Sequence, residues 1–257
     1  MTDLLVEKNG AVLYLTLNRP EALNAFSGEM IEDITTEMTN AANDDSVKVV
    51  VLSGSGRAFS AGGDVKTMGQ NTGSAVYEHI GRLNKCILAI QRLEKPVVAV
   101  VHGFVAGAGF NLALACDLIV AAEDTAFVLS FSKVGLISDG GGLYFLPRLI
   151  GLQKAKELFF LAEPLKVEEA KQMGIVNRIV PLEQLKDEAI SFATRLSQGP
   201  VQSYGKMKNL LQEGLNKSLE DVLELERLTQ MLMVESADHK EGVSAFKEKR
   251  QPVFTGK

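Results

Sequence analysis

The chain begins with two short runs, LLVEK and AVLYLTLN, in which apolar and polar side chains alternate on either side of Asn9-Gly10. Period-two alternation around an Asn-Gly pair predicts a β-hairpin. After Arg19-Pro20 the period changes. Phe26, Met30, Ile31, Ile34 and Met38 recur at helical spacing, with Ser27 placed as the cap. VKVVVLSG then lacks polar alternation and reads as a strand covered on both faces. A small-residue turn, FSAGGDV, comes next. The stretch from Ala75 to Leu93 returns to helical periodicity through Ile80, Leu83, Cys86, Ile87 and Ile90. KPVVAVVHG repeats the buried-strand pattern, runs into a second small-residue turn, VAGAGF, and continues into the helix-forming NLALA. CDLIVAAED and TAFVLS predict further short strands.

Two buried strands each leading into a glycine turn give an α/β pattern with a mainly parallel core. In such folds ligands gather at the carboxyl ends of strands, where both turns lie. Gly107, Ala108 and Gly109 leave the main chain uncovered at the start of a helix, so a ligand can approach free N–H groups there. The same residues also suit close packing of a helix on a sheet. The spacing matches neither a dinucleotide fingerprint nor a phosphate-binding loop.

From Gln153 onward helical patterns dominate: LQKAKELFFLA, VEEAKQMG, Leu182 to Leu196, and a helix opened by Pro200 that runs to Leu211. VNRIVP is a short extended link. Ser218 and Asp221 suggest a capping box for the last long helix. On it Val222, Leu225, Thr229 and Leu232 share a face, while Leu223 and Met233 lie elsewhere. A helix apolar on more than one side is buried between layers or against another subunit.

Composition narrows the function classes. The 257 residues suffice for one large core with an appendage, and a net charge of -5 argues against a nucleic-acid or membrane-surface binder. Cys86 and Cys116 have no metal-site spacing and read as buried thiols of a reducing compartment. The N-terminus lacks a secretory pattern, and no apolar run approaches the roughly 18 residues needed to span a bilayer. A cytoplasmic protein is expected.

FSAGGDV, VHGFVAGAGFNLALACDLIVAAEDTAF, FSKVGLISDGGGLYFLPRLIG and AKQMGIVNRIVP, in that order and at those intervals, resemble the enoyl-CoA hydratase/isomerase (crotonase) superfamily. The resemblance extends from the hairpin to FKEKRQPVF. It implies an α/β ClpP/crotonase-like fold, with a spiral of repeated ββα units over residues 1–196. A helical oligomerisation region over 197–257 would form a homotrimer or a hexamer of two trimers. It implies an acyl-CoA thioester as substrate, with coenzyme A as part of it and no separate cofactor or metal.

By the same resemblance the thioester oxygen sits between two main-chain donors, expected to be the N–H groups of Ala61 and Ala108. Ala22, Leu23, Gly62, Gly63, Asp64 and Val65 would line the coenzyme A moiety, Lys249, which on its own reads as a solvated helix end, would reach a phosphate, and Gly109, Asn111 and Phe131 would line the acyl pocket. Hydratases of the family carry two glutamates; here Asn111 and Phe131 hold those positions, and neither takes a proton from water. Asp139 falls where isomerase branches carry their acid, most closely the phenylacetate-pathway epoxide/enoyl-CoA isomerases. Without that context, Asp before Gly ahead of a helix reads as a turn or N-cap. Ser138 and Leu143 depart from the branch pattern. Phe131, Leu129 and Phe145 are expected to raise the basicity of Asp139.

The activity implied is double-bond or ring-epoxide isomerisation next to a thioester. A hydratase with an unidentified base and a non-catalytic acyl-CoA-binding homologue are the alternatives. His79, His102, His239 and Asp117 are expected to be structural.

Overall fold

A computed structural model describes residues 2–64 and 72–257. The hairpin forms as expected: β1 (Leu4–Asn9) pairs antiparallel with β2 (Val12–Leu17), with Leu4 opposite Leu17 and Asn9 opposite Val12. Helix α1 (Gly28–Asn43) starts at Ser27, whose hydroxyl accepts from the Met30 N–H, and it buries Met30, Ile31, Ile34, Met38 and Ala41.

Three successive units then send one strand to each of two sheets. The first comprises β3 (Val49–Gly54), β4 (Ala58–Ser60) and α2 (Gly73–Arg92). The second comprises β5 (Val97–Val101), β6 (Phe104–Ala106) and α3 (Ala108–Ala115). The third comprises β7 (Leu118–Ala122), β8 (Ala126–Val128) and, after a longer connection, α4 (Gly142–Ile150). With α5 (Leu152–Leu161), β9 (Leu165–Lys166), α6 (Val167–Gln172) and β10 (Arg178–Val180) the sheets are complete. The larger has the order β1-β2-β3-β5-β7-β10 and the smaller β4-β6-β8-β9. Pairing is parallel except at β1–β2 and β8–β9.

The continuous Val-rich runs are buried on both faces, as their lack of alternation predicts: all of Val97–Val101 is buried. Every residue of α3 is buried as well, which explains why NLALA carries no polar face apart from Asn111. Helix α7 (Leu185–Ser197) covers the other side of the large sheet, packing Leu185, Ala189, Phe192 and Ala193 on Val12, Val49, Val51, Val98, Val100 and Val120.

Helices α8 (Val201–Gly214), α9 (Leu219–Met233) and α10 (Ala237–Glu248) complete the chain. The Ser218–Asp221 capping box is present, yet no residue of α9 is buried. Leu219 is 70% exposed and Leu232 63% exposed, so this apolar helix faces outward in the single chain. Helix α8 is anchored to the core at Lys208, whose Nζ donates to the Ile90 carbonyl (2.9 Å) and to Asp117 Oδ2 (3.0 Å). Among the described residues no helix is long and apolar enough to cross a membrane.

Candidate active site

The first two units bring their glycine turns into contact. In the first, residues 19–26 fold back over β4 and fix the turn after it. Asn24, fully buried and at φ 53°, accepts from the Arg19 N–H and donates to the carbonyls of Ser55 and Ala58. Ser60 donates through its hydroxyl to the Asn24 carbonyl at 2.8 Å. Two main-chain bonds complete the seam, Phe26 N–H to Gly62 O (2.7 Å) and Ala61 N–H to Leu23 O (2.8 Å). Leu23 is itself left-handed at φ 51°, which turns its carbonyl toward Ala61.

That last bond corrects one expectation. The Ala61 N–H is already engaged by Leu23, so it is not the free donor of the first turn. Among the described residues of the two turns, the N–H groups without an acceptor are those of Gly63 in the first and of Ala108 and Gly109 in the second. Gly62 sits between them at φ 82°, and a Cβ there would lie 2.7 Å from the Ala108 nitrogen and 2.6 Å from the Ala106 carbonyl oxygen. Only glycine permits that approach. On the opposite side a Cβ at Gly109 would lie 2.7 Å from Ser60 Cβ.

Ala22, Leu23, Gly62, Gly63 and Asp64 therefore come together around the first turn. Arg19 adds a contact to Asp64, with Nη2 3.6 Å from Oδ2. Val65 lies outside the described residues. Lys249 ends α10 in a left-handed conformation, exposed, its N–H bonded to the Phe246 carbonyl of its own helix.

The third unit supplies the carboxylate. Where α3 starts at once after β6, residues 129–141 separate β8 from α4. Within this stretch Phe131 packs over the second turn, its Cζ 3.7 Å from where a Gly107 Cβ would stand. The N-cap of α4 is Gly141, without a side-chain bond, so Asp139 does not cap the helix. Its Oδ1 is instead buried without a partner among the described residues. Burial pushes the Asp139 carboxyl up to about 6, against a smaller lowering by its own main-chain N–H. Asn111, completely buried in the first turn of α3, reaches the same stretch. Its Nδ2 donates to Ser138 Oγ (2.9 Å) and to the Asp139 carbonyl (2.7 Å). Phe131, Leu129 and Phe145 all belong to or pack on the main apolar core.

The remaining polar candidates have structural partners. His102 Nε2 lies 2.9 Å from the Gly56 carbonyl, and Asp117 accepts from the Val97 N–H and from Lys208. His239 uses its N–H to satisfy the Ser236 cap of α10. Burial depresses the His79 imidazole, aided by the Arg82 charge. Cys86 and Cys116 are buried, and burial pushes the Cys86 thiol up to about 12. Sequence patterning does not reveal Asn24 or Lys208. An Asn at a turn position able to adopt positive φ is the only signal the former leaves.

A family model described as enoyl-CoA hydratase/isomerase matches residues 7–257. The 1,2-epoxyphenylacetyl-CoA isomerase of Escherichia coli is 40% identical, with 100% of each chain covered. The trans-2-decenoyl-[acyl-carrier-protein] isomerase of Streptococcus mutans is 36% identical over 99% of this chain and 98% of its own. Among solved structures, an enoyl-CoA hydratase from Bacillus anthracis superposes with a TM-score of 0.95 at 30% identity, covering 99% of this chain and 100% of that one.

Proposed function

The chain belongs to the enoyl-CoA hydratase/isomerase family, and on that premise we propose that it isomerises an acyl-CoA thioester, moving a 3,4 double bond to the 2,3 position or opening a strained ring beside the thioester. The observation that carries this reading is the single carboxylate in an apolar setting. Asp139 has a buried Oδ1 without a partner among the described residues and a raised pKa, while Asn111 and Phe131 supply no second acid or base.

In the proposed reaction Asp139 takes a proton from C2. The C–H electron pair moves toward the thioester carbonyl, whose oxygen becomes the enolate oxygen, and the 3,4 double bond conjugates with it. The N–H groups of Gly63 and Ala108 would hold that oxygen. A donor already aimed at developing charge needs no reorganisation, and one is typically worth about 3 kcal/mol of barrier. The protonated Asp139 then returns its proton to C4, the electrons settle as a 2,3 double bond, and the enzyme is regenerated. One group can serve both carbons because its basicity lies near neutrality. The coenzyme A portion would run past Ala22, Leu23 and Asp64, and Lys249 would serve a phosphate.

The exposed apolar residues of α9 support a further part of the reading: the C-terminal helices assemble the chain into a trimer or a pair of trimers. Light scattering tests it, and a monomer at micromolar concentration would reject it.

The deciding experiment follows double-bond migration of a 3-enoyl-CoA and hydration of a 2-enoyl-CoA side by side, in wild type and in Asp139→Asn. Migration lost in the variant while acyl-CoA still binds supports the one-carboxylate isomerase. Hydration by wild type that survives the substitution points to a hydratase using another base. Binding with neither activity, and no solvent-deuterium exchange at C2, identifies a non-catalytic homologue.

A further inference from the structure

Residues 132–137 are exposed, and from Leu136 to Gly141 the stretch carrying Asp139 has few ties to the rest of the molecule. The Leu136 N–H bonds to Phe131 of the same connection. The Gly141 carbonyl accepts only from α4, the helix it caps. Among the described residues, the hydrogen bonds that tie this stretch to any element other than α4 are the two donated by Asn111 Nδ2, to Ser138 Oγ and to the Asp139 carbonyl.

The orientation of that amide is fixed by chemistry. A main-chain carbonyl only accepts, so the atom facing Asp139 O must be the nitrogen. The amide is also boxed in: a Cβ on Gly142 would collide with it, and one on Gly140 would stand 3.4 Å from Asn111 Cβ. Asn111 comes three residues after Ala108, one turn along the same fully buried helix. A single rigid turn thus bears the N–H of Ala108 on one side and grips the backbone of Asp139 on the other.

We propose that Asn111 is a positioning residue, which sets where the Asp139 carboxylate stands relative to the Ala108 N–H, and that its amide nitrogen is not available to substrate. This rests on the reading of Asp139 as the proton carrier. It assigns a separate task to the residue that stands where hydratases of the family carry a glutamate.

The test uses Asn111→Leu, which keeps much of the shape and loses the donor, and Asn111→Ala, which loses both. A displacement of about 1 Å in a reacting group costs on the order of 10²-fold in rate. Both variants are therefore expected to lose about 10- to 100-fold in kcat for migration, with KM changed less than about threefold. In the Ala variant the acid limb of the kcat–pH profile should also move below that of wild type, as the loosened carboxyl hydrates. A rise in KM at constant kcat would overturn the proposal in favour of substrate contact. Full activity in Asn111→Leu with loss only in Asn111→Ala would assign Asn111 a space-filling role. If neither variant folds, Gly142→Ala strains the same contact from the loop side and should reproduce the kcat loss; unchanged kcat there also overturns the proposal. Asp139→Asn measured in parallel separates the two readings. Full migration in that variant removes the role of Asp139, whereas its loss beside unaffected Asn111 variants removes only the positioning role.

Discussion

The second and third ββα units share one plan and differ in the connection from their second strand to their helix. In the second, α3 begins at Ala108, directly beyond Gly107, and its start has no side-chain cap. In the third, residues 129–141 intervene before α4. The abrupt junction yields a main-chain donor whose position is dictated by packing. The drawn-out junction yields a side chain whose environment can be tuned. A site that must stabilise negative charge and also move a proton needs one of each, and the fold obtains both from a repeated unit by changing one connection.

The largest effect expected from breaking this division of labour is at the third unit. Asp139→Asn should lower kcat for double-bond migration by about 10²–10⁴-fold, measured as the conjugated product forms. The second unit can be tested by removing only its donor. Ala108 is the first residue of α3, where proline is tolerated because no intrahelical bond is lost. Ala108→Pro must also fit its ring beside Gly62, so the helical signal is checked first; where it matches wild type, kcat should fall about 10²–10³-fold. A loss below tenfold would mean the donor does little.

A subtler effect comes from pH. With Asp139 acting as a base at about 6, kcat should rise with pH to a plateau above that value and fall roughly tenfold per unit below it. The smallest effect is on stability, and its sign is opposite to that on activity. Because the folded carboxyl titrates above its ordinary value of 3.8, the folded state holds the proton longer than the unfolded one. Wild type thus loses stability as pH rises from about 4 through about 6, on the order of 1–3 kcal/mol in all. Asp139→Asn should melt a few degrees higher than wild type at pH 8 and about equally at pH 4, by calorimetry. Equal melting at both values would mean that the carboxyl is well hydrated.

Most of the architecture could be read from side-chain periodicity. The β-branched runs at Val49–Gly54 and Val97–Val101 had no polar face, so both had to be interior strands. The two small-residue turns were equally legible as places where main chain is uncovered. Which N–H remains free was not legible, because that depends on residues 19–26 returning across β4. The Leu23 carbonyl that engages Ala61 belongs to a segment remote in sequence, and no local pattern announces the bond. The same holds for Lys208 and Asp117, an ion pair between the last helices and the core. Asp139 lies at the other extreme. Local chemistry favoured a cap, family resemblance favoured an acid, and Gly141 in the capping position removes the first option.

The contact between Gly62 and the Ala108 nitrogen has a consequence for how such a molecule could change over evolutionary time. Two backbones that touch without side chains between them leave no room for gradual substitution on either side. The pair of turns is inherited whole or lost whole, and random drift there is filtered by sterics before chemistry is ever sampled. Residues 132–137, lying in the open, are under no such constraint. A lineage built on this scaffold would acquire new reactions by exchanging side chains around the turns, at the junction of the third unit and at the position of Asn111, while the paired main chains of the first two units stay locked together.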